Sequence, residues 1–509
     1  MLARVMSIGI LGIDGYPVTI EVDKSTGLPG YDIVGLPDAS VKESRERVRS
    51  ALRNSGLEFP VGRYTVNLAP ADTRKEGPAF ELPIAIAIMI CAGALEQSSI
   101  NGMAISGELA LGGGVNPING ALSMAITARQ LGFKRIMLPS ENAPEASCIQ
   151  GLDVIPVSSL ADVEAHLTGR KVIEPLHPQP YSDLMGARQF DQDFADVRGQ
   201  RAAKRALEIA AAGGHNVIMV GEPGSGKTML ARCLPSILPD MTFEEALEVT
   251  RIHSVLGGTR GKGLMTMRPF CAPHHTSSAA ALVGGGSNAR PGQVSRAHRG
   301  VLFLDELPEF ARSALEALRQ PLEDGFISVT RTHAQAVYPA QFMLVCSMNP
   351  CPCGYFGSHS HTCRCTQAEL KRYRNRISGP LLDRIDIQIE VESVPVNQIT
   401  MRSAEEPSDA IRQRVNAARR LQQQRYCNDG ITCNAQLTSR LLEKYCALDE
   451  APRQLLESAA NVLHLSSRGF TRLIKVARTI ADLDGGANIT EQHVAEAIGY
   501  RSLDGKYWN

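Results

Sequence analysis

Residues 216–234, "NVIMVGEPGSGKTMLARCL", join an apolar run to a glycine-rich turn and then to a helical pattern. A strand that enters a helix through such a turn gathers backbone N–H groups around phosphate oxygens. Lys227 would reach the β and γ oxygens, and Thr228 would ligate Mg²⁺. We therefore predict ATP and Mg²⁺ as cofactors, held by Gly221, Glu222, Pro223, Gly224, Ser225, Gly226, Lys227, Thr228 and Met229.

Two later apolar runs end in polar residues. "GVLFLDELPEF" runs into Asp305 and Glu306, and "QFMLVCSMNP" reaches Asn349. An acidic pair at the end of a buried strand suits an aspartate that holds Mg²⁺ and a glutamate that polarises the attacking water. Asn349 is placed where it could sense the γ-phosphate. We predict catalytic roles for Lys227, Glu306 and Asn349.

The organisation of the pattern along the chain predicts several domains. Residues 1–170 mix short strands and helices as an α+β domain, and residues 171–198 form a polar, proline-rich linker. From 199 to 395 strands alternate with helices, which predicts an α/β core around a parallel sheet. Residues 396–509 are almost entirely helical in pattern.

Composition restricts the location and partners. The 509 residues carry 53 Lys plus Arg and 53 Asp plus Glu, so any basic surface must be local. Twelve cysteines are too few for a disulfide scaffold and fit a reducing compartment. No run approaches the roughly 18 apolar residues of a membrane span, and the opening residues lack a signal-peptide pattern. We expect a soluble, cytoplasmic protein with no membrane partner.

The segment 351–365, "CPCGYFGSHSHTCRC", contains two C-x-C pairs separated by nine residues. Four thiolates from one short loop can complete a tetrahedral Zn²⁺ site. We predict a structural zinc held by Cys351, Cys353, Cys363 and Cys365. An iron–sulfur cluster and four free thiols are the alternatives that the spacing leaves open.

The order of these motifs resembles that of AAA+ ATPases: phosphate loop, acidic pair, sensor asparagine, the arginine of "LLDR" and a helical lid. The resemblance implies that Arg384 completes the nucleotide site of a neighbouring subunit, hence a ring, expected to be a homo-hexamer. It also implies that Arg468 is the sensor of the lid. From the residues alone, Arg384 could instead pair with Asp383 or Asp386, and Arg472 lies one turn beyond Arg468.

Within the AAA+ proteins, "RPGQVSRAHRGVLFLDELPEF", "LEALRQPLEDG" and "RISGPLLDRID" resemble the magnesium-chelatase subunit I branch. Over essentially its full length the chain is similar to the YifB/ComM family. This resemblance implies a Lon-protease-like (ribosomal S5 domain 2-like) fold for residues 1–170. Ala79 and Leu122 stand where the catalytic serine and lysine of Lon are expected, so the domain is expected to dock a partner or substrate without proteolysis.

The family resemblance implies a DNA helicase that acts on single-stranded or branched DNA in natural transformation, with recombination proteins as further partners. The alternative hypotheses for the function are a chelatase-type motor and a protein unfoldase. In the hairpin pattern "RTHAQAVYPAQ", Arg331 and His333 are candidate phosphate contacts, although a lone hairpin arginine is also compatible with a solvated charge. A basic helix with few acids nearby in sequence could line the DNA path or be solvated; it carries Arg412, Arg414, Arg419, Arg420 and Arg425.

Overall fold

The computed structural model describes residues 2–26, 28–57, 59, 61–186, 189–285, 290–331, 334–358, 361–394, 405–463, 465–503 and 507–508, with residues 330, 331, 334 and 335 described by their backbone. The chain divides into two compact units. The first contains residues 1–187, 243–266 and 330–337, and the second contains 188–242, 267–329 and 338–509.

The amino-terminal elements alternate strands with helices. They are β1 Leu2–Leu11, β2 Asp14–Ser25, β3 Gly30–Val34, α1 Ala39–Asn54, β4 Arg63–Ala69, α2 Glu81–Ala92, β5 Met103–Ile105, β6 Glu108–Leu109, β7 Val115–Asn116, α3 Ala121–Gln130, β8 Arg135–Pro139, α4 Ala143–Ala146, β9 Asp153–Val157, α5 Leu160–Leu167 and α6 Tyr181–Gly186.

The remaining elements begin with a strand-helix alternation and end in helices. They are α7 Arg201–Gly213, β10 Val217–Gly221, α8 Lys227–Cys233, α9 Phe243–Val255, β11 Phe270–Cys271, α10 Ala279–Val283, β12 Gly284–Gly285, β13 Arg290–Pro291, α11 Gln293–Arg296, β14 Val301–Leu304, α12 Arg312–Glu316, α13 Arg319–Asp324, β15 Phe326–Arg331, β16 Ala334–Pro339, β17 Met343–Met348, α14 Gln367–Arg374, α15 Gly379–Leu382, β18 Ile387–Val391, α16 Ser408–Arg425, α17 Ser439–Tyr445, α18 Glu450–Val462, α19 Ser467–Leu483 and α20 Glu491–Gly499. None of the described helices combines the length and the apolar character needed to cross a membrane.

The first unit is built on a seven-stranded sheet of order β3-β4-β2-β1-β5-β8-β9. β1 and β2 pair antiparallel, while β5, β8 and β9 run parallel to one another. Helix α2 is apolar on all sides and packs against β1, β2 and α1. A helix with no polar face must be covered all round, so α2 forms the centre of this unit's core.

Helix α9 belongs to the first unit, although its sequence lies between the two motifs expected to bind the nucleotide. It packs against α3, and the loop after it places Thr259 beside the buried Glu145. The Thr259 hydroxyl donates to the Glu145 carboxylate at 2.6 Å, and Asn142 Nδ2 donates to it at 2.8 Å. These bonds satisfy a carboxylate whose pKa burial raises.

The second unit contains a five-stranded sheet of order β11-β14-β17-β10-β18, in which neighbouring strands are parallel. Every residue of β10, β14 and β17 is buried, as expected for strands covered on both faces. The fold class is therefore mixed α/β with a parallel sheet, in agreement with the expectation for the core. The strand ends that precede Glu222, Asp305 and Asn349 meet at the carboxyl edge, where open α/β sheets bind their ligands.

Helix α16 contradicts the expectation of a basic surface with few acidic neighbours. Arg412 pairs with Asp409, Arg414 with Glu208 and Glu406, and Arg425 with Asp482, while Arg419 donates to the backbone carbonyls of Ala211 and Ala212. Of the five arginines, Arg414 and Arg420 are exposed. Several partners lie far away in sequence, which is why local composition did not reveal them. The expectation of few acidic neighbours is therefore wrong for Arg412, Arg414 and Arg425.

Asp482 joins α16 to α19. Its side chain is fully buried and accepts from Arg425 Nη2 at 2.6 Å, Arg478 Nε at 3.1 Å and Asn434 Nδ2 at 2.8 Å. Arg478 is itself buried. The carboxylate therefore neutralises a guanidinium that has little access to water.

We predict that Asp482→Ala lowers the free energy of unfolding by about 3–5 kcal/mol, because a buried arginine loses its counter-charge. Asp409→Ala is the matched control, since it removes an exposed carboxylate that pairs with Arg412 within α16 and should cost about 0–1 kcal/mol. Urea denaturation followed by circular dichroism measures both. Equal, small losses in the two variants would contradict the assignment.

Candidate nucleotide-binding site

The loop between β10 and α8 depends on glycine for two different reasons. Gly224 and Gly226 have φ values of +80° and +93°, a region that side chains with a Cβ rarely adopt. A Cβ on Gly221 would lie 2.3 Å from the carbonyl oxygen of Val391 in β18. The loop therefore turns tightly while β10 stays in close contact with its neighbouring strand.

Lys227 begins α8 and is directed back to the loop. Its Nζ donates to the carbonyl oxygens of Gly221 and Glu222, both at 2.8 Å, and to Asn349 Oδ1 at 3.3 Å. Burial lowers the pKa of the ammonium, and nearby carboxylates, Asp305 first, oppose that shift. The structure thus brings the predicted phosphate-binding lysine together with the predicted sensor asparagine.

Asp305, at the end of β14, connects three elements. It accepts a hydrogen bond from Thr228 Oγ1 at 2.9 Å, and its other oxygen accepts from the Ser347 hydroxyl in β17. A hydroxyl and a carboxylate side by side are the oxygen ligands that Mg²⁺ uses in phosphoryl-transfer sites. Thr228 and Asp305 were both predicted, whereas Ser347 was missed; its signal is its position two residues before Asn349.

Glu306 has a half-exposed side chain and a backbone φ of +54°. Non-glycine residues rarely hold this conformation, and such residues concentrate at functional sites. Its N–H donates to Asp305 Oδ1 at 3.1 Å, and its Oε2 lies 3.6 Å from Nδ1 of His275. His275 was missed, because the Gly- and Ser-rich segment that begins "APHHTSS" suggested only a loop that could approach a DNA backbone and gave the histidine no role.

Gln200 also reaches this edge and was not foreseen. It precedes α7 with a φ of +55°, and its Nε2 donates to the carbonyls of Glu392 at 2.5 Å and Ser225 at 3.3 Å. The amide therefore connects the phosphate loop to the residue that follows β18. Met229, also predicted to contact nucleotide, is 39% exposed in the first turn of α8.

Arg384, predicted to act on a neighbouring subunit, and Arg468, predicted as the lid sensor, meet at one carboxylate. Arg384, which is 5% exposed, forms an ion pair with Glu323 in α13, and Arg468 lies 3.6 Å from the same group. The alternative partner Asp386 pairs instead with Arg472. Burial opposes ionisation of Asp386, but Arg472, His215 and Lys475 together outweigh it and hold the pKa of that carboxyl below its usual range.

The remaining predicted site residues belong to the cysteine cluster and to the hairpin. The sulfurs of Cys351, Cys353, Cys363 and Cys365 lie within 4.8 Å of one another. β15 and β16 pair in a two-stranded sheet, in agreement with the predicted hairpin. Arg331 is the last residue of β15, whereas His333 lies outside the described residues.

Comparison with known families gives three matches along the chain. Residues 193–399 match the family described as "Magnesium chelatase, subunit ChlI", residues 20–142 match "Subunit ChlI of Mg-chelatase", and residues 405–501 match "Magnesium chelatase, subunit ChlI C-terminal". The three ranges include both units described above.

Curated relatives extend the similarity to nearly the whole chain. The uncharacterized protein YifB of Salmonella typhimurium is 44% identical over 505 residues, which are 99% of this chain and 97% of that protein. Competence protein ComM of Haemophilus influenzae is 43% identical over 506 residues, 99% of this chain and 98% of that protein. The chain belongs to the YifB/ComM family.

A magnesium-chelatase 67 kDa subunit of Chlorobaculum parvum is also similar, at 32% identity, but over 31% of this chain and 23% of that protein. The shared part is therefore smaller than the part shared with family members. Family membership indicates a ComM-type AAA+ protein and, with it, an ATPase that uses ATP and Mg²⁺.

We predict that Glu306→Gln lowers ATP hydrolysis on the order of 10²-fold while bound ATP is retained, because the amide cannot polarise the attacking water. Glu309→Gln is the control, since it removes an acidic side chain three residues away that pairs with Arg376. Phosphate release and retention of radiolabelled ATP measure the two steps. Near-normal turnover of Glu306→Gln would show that the site is misassigned.

Proposed function

We propose that this protein is an ATP-driven, ring-forming DNA motor that unwinds or migrates branched recombination intermediates in natural transformation. The observation that carries the proposal is the hydrogen-bonded group of Lys227, Thr228, Asp305 and Asn349. Its occurrence in a chain similar throughout to a competence protein supports DNA as the substrate. Such a motor would work in the cytoplasm, with recombination proteins as partners.

In this proposal Gly221 to Met229 hold the triphosphate, and Thr228 with Asp305 holds Mg²⁺. Glu306 orients the attacking water, and Asn349 senses the γ-phosphate beside Lys227. Nδ1 of His275 lies 3.6 Å from Oε2 of Glu306, and this distance supports a role for the histidine in positioning the carboxylate. Bound ATP supplies the phosphoryl group, and these side chains bind and orient it.

We further propose that Arg384 acts on the nucleotide of a neighbouring subunit in a homo-hexamer, and that Arg468 is the sensor of the lid. Their common contact with Glu323 supports a single cationic group. Arg384 has a buried Nε without a hydrogen-bond partner in the described structure. A guanidinium with a spare N–H can donate a hydrogen bond to an oxygen of a γ-phosphate.

The proposed domain boundaries remain those of the sequence: residues 1–170 as a Lon-protease-like domain, 171–198 as a linker, 199–395 as the AAA+ core and 396–509 as the lid. Ala79 and Leu122 are buried and carry no nucleophile or base. We propose that the first domain docks DNA or a partner protein and does not cleave peptides.

A ring should show complementation between two inactive variants. Arg384→Ala should bind ATP but not hydrolyse it, and so should Glu306→Gln. Mixed rings contain interfaces with a native Glu306 on one side and a native Arg384 on the other, so mixing should restore part of the activity. Arg372→Ala, which removes an exposed arginine of α14, is the control and should stay active. Full activity of Arg384→Ala, or of a monomer, would reject the trans role.

The DNA substrate is tested with three- and four-way junctions. We expect ATP-dependent strand displacement or branch migration, absent in Lys227→Ala, and DNA affinity that falls with salt at a log–log slope of about −0.7 per single-strand phosphate contact. The double change Arg331→Ala with His333→Ala should reduce unwinding more than ATP hydrolysis. ATP hydrolysis without DNA binding at low salt would favour the alternative, a chelatase-like motor that remodels a protein.

A further inference from the structure

The loop after β17 brings four sulfurs together. Sγ of Cys351 lies 3.3 Å from Cys353 and 3.8 Å from Cys363, and Cys353 lies 3.6 Å from Cys363. The sulfur of Cys365 is within 4.8 Å of all three. These distances are too long for disulfides, in which the sulfurs are about 2.05 Å apart.

The same distances fit one tetrahedral ion. With metal–sulfur bonds of about 2.3 Å, the edge of a regular tetrahedron of thiolates is about 3.8 Å. A cluster with several iron atoms would place those atoms between the thiolates and require a wider set. Four thiolates in tetrahedral arrangement are the soft donors that favour Zn²⁺, and they leave no open position for a substrate.

The backbone supports sulfurs held as thiolates. The N–H of Phe356 donates to the Cys351 sulfur at 3.3 Å, and the backbone of Tyr355 and Arg364 hydrogen-bonds to Cys353. Donors of this kind orient ligands and offset their negative charge. These donors would therefore offset part of the negative charge of metal-bound thiolates at Cys351 and Cys353.

The cysteine loop is in contact with the phosphate loop. Gly354 has a φ of +88°, and a Cβ there would lie 2.6 Å from Cγ of Pro223. Cys351, which is fully buried, follows Asn349 by two residues. The position of the cysteine loop thus constrains both sides of the group formed by Lys227 and Asn349.

Aromatic contacts hold one part of this loop. Phe356 lies under the guanidinium of Arg374 at 4.9 Å, and Arg374 also covers Tyr507 at 5.2 Å. A metal cross-link between its two C-x-C pairs would add a further constraint to these contacts.

We propose that Cys351, Cys353, Cys363 and Cys365 bind one structural Zn²⁺, and that this ion holds the loop against Pro223 and fixes Asn349 for tight ATP binding. The metal site stands independently of the proposed function. Its effect on nucleotide affinity rests on that function.

The metal is tested on untagged full-length protein by mass spectrometry of the elements. About one zinc per chain is expected in the wild type, with loss in Cys363→Ser and in Cys365→Ser. Cys427→Ser, which changes an exposed free cysteine, is the control and should keep its zinc. Less than about half an equivalent of zinc in folded wild type, or iron with visible absorbance, would overturn the zinc site.

The coupling is tested by the affinity for a fluorescent ATP analogue before and after zinc is released from wild type with a thiol reagent and chelator. We expect affinity to fall by about 10-fold or more and to return when the thiols and zinc are restored. This measurement does not depend on the folding of a serine variant. Unchanged affinity after complete zinc loss would overturn the coupling. Zinc-loaded wild type that binds no analogue would overturn the nucleotide function together with the coupling, while zinc content would still decide the metal site.

Discussion

The hydrogen bond between Thr228 and Asp305 connects the start of α8 to the end of β14. Helix α8 follows β10, and β10 is not a neighbour of β14 in the sheet, because β17 lies between them. The bond therefore requires this parallel strand order. Ser347, on the intervening strand β17, donates a hydrogen bond to the other oxygen of Asp305. The chemistry at this edge depends on sheet topology as much as on the glycine-rich loop.

Residues whose function follows from local pattern could be predicted from the sequence. Lys227 and Thr228 belong to a strand–turn–helix motif, and Asp305 ends an apolar run. His275, Gln200 and Glu323 carry no such pattern, because their partners lie about 30 to 190 residues away. Their participation arises from tertiary packing, which sequence spacing does not encode.

The arginines of α16 show that local composition can also suggest a role that tertiary contacts do not support. Their density suggested a free positive surface, yet Arg414 finds Glu208 at 2.6 Å and Arg425 finds Asp482 at 2.6 Å. A guanidinium with an ideal carboxylate partner has little left for a phosphate, because the ion pair must be broken first. The local charge of a helix therefore indicates ligand binding only after its intramolecular partners have been counted.

Arg384 differs from those arginines in how completely it is satisfied. It is nearly buried, pairs with Glu323, which is itself half-exposed, and donates from Nη1 to the Pro380 carbonyl at 2.5 Å, while its Nε has no partner in the described structure. Keeping a buried guanidinium partly unsatisfied costs folding free energy, so stability alone does not account for it. An oxyanion arriving beside Glu323 would complete its hydrogen bonds. In the proposed ring that oxyanion would be a phosphate of the neighbouring subunit's nucleotide, so nucleotide binding would offset the cost.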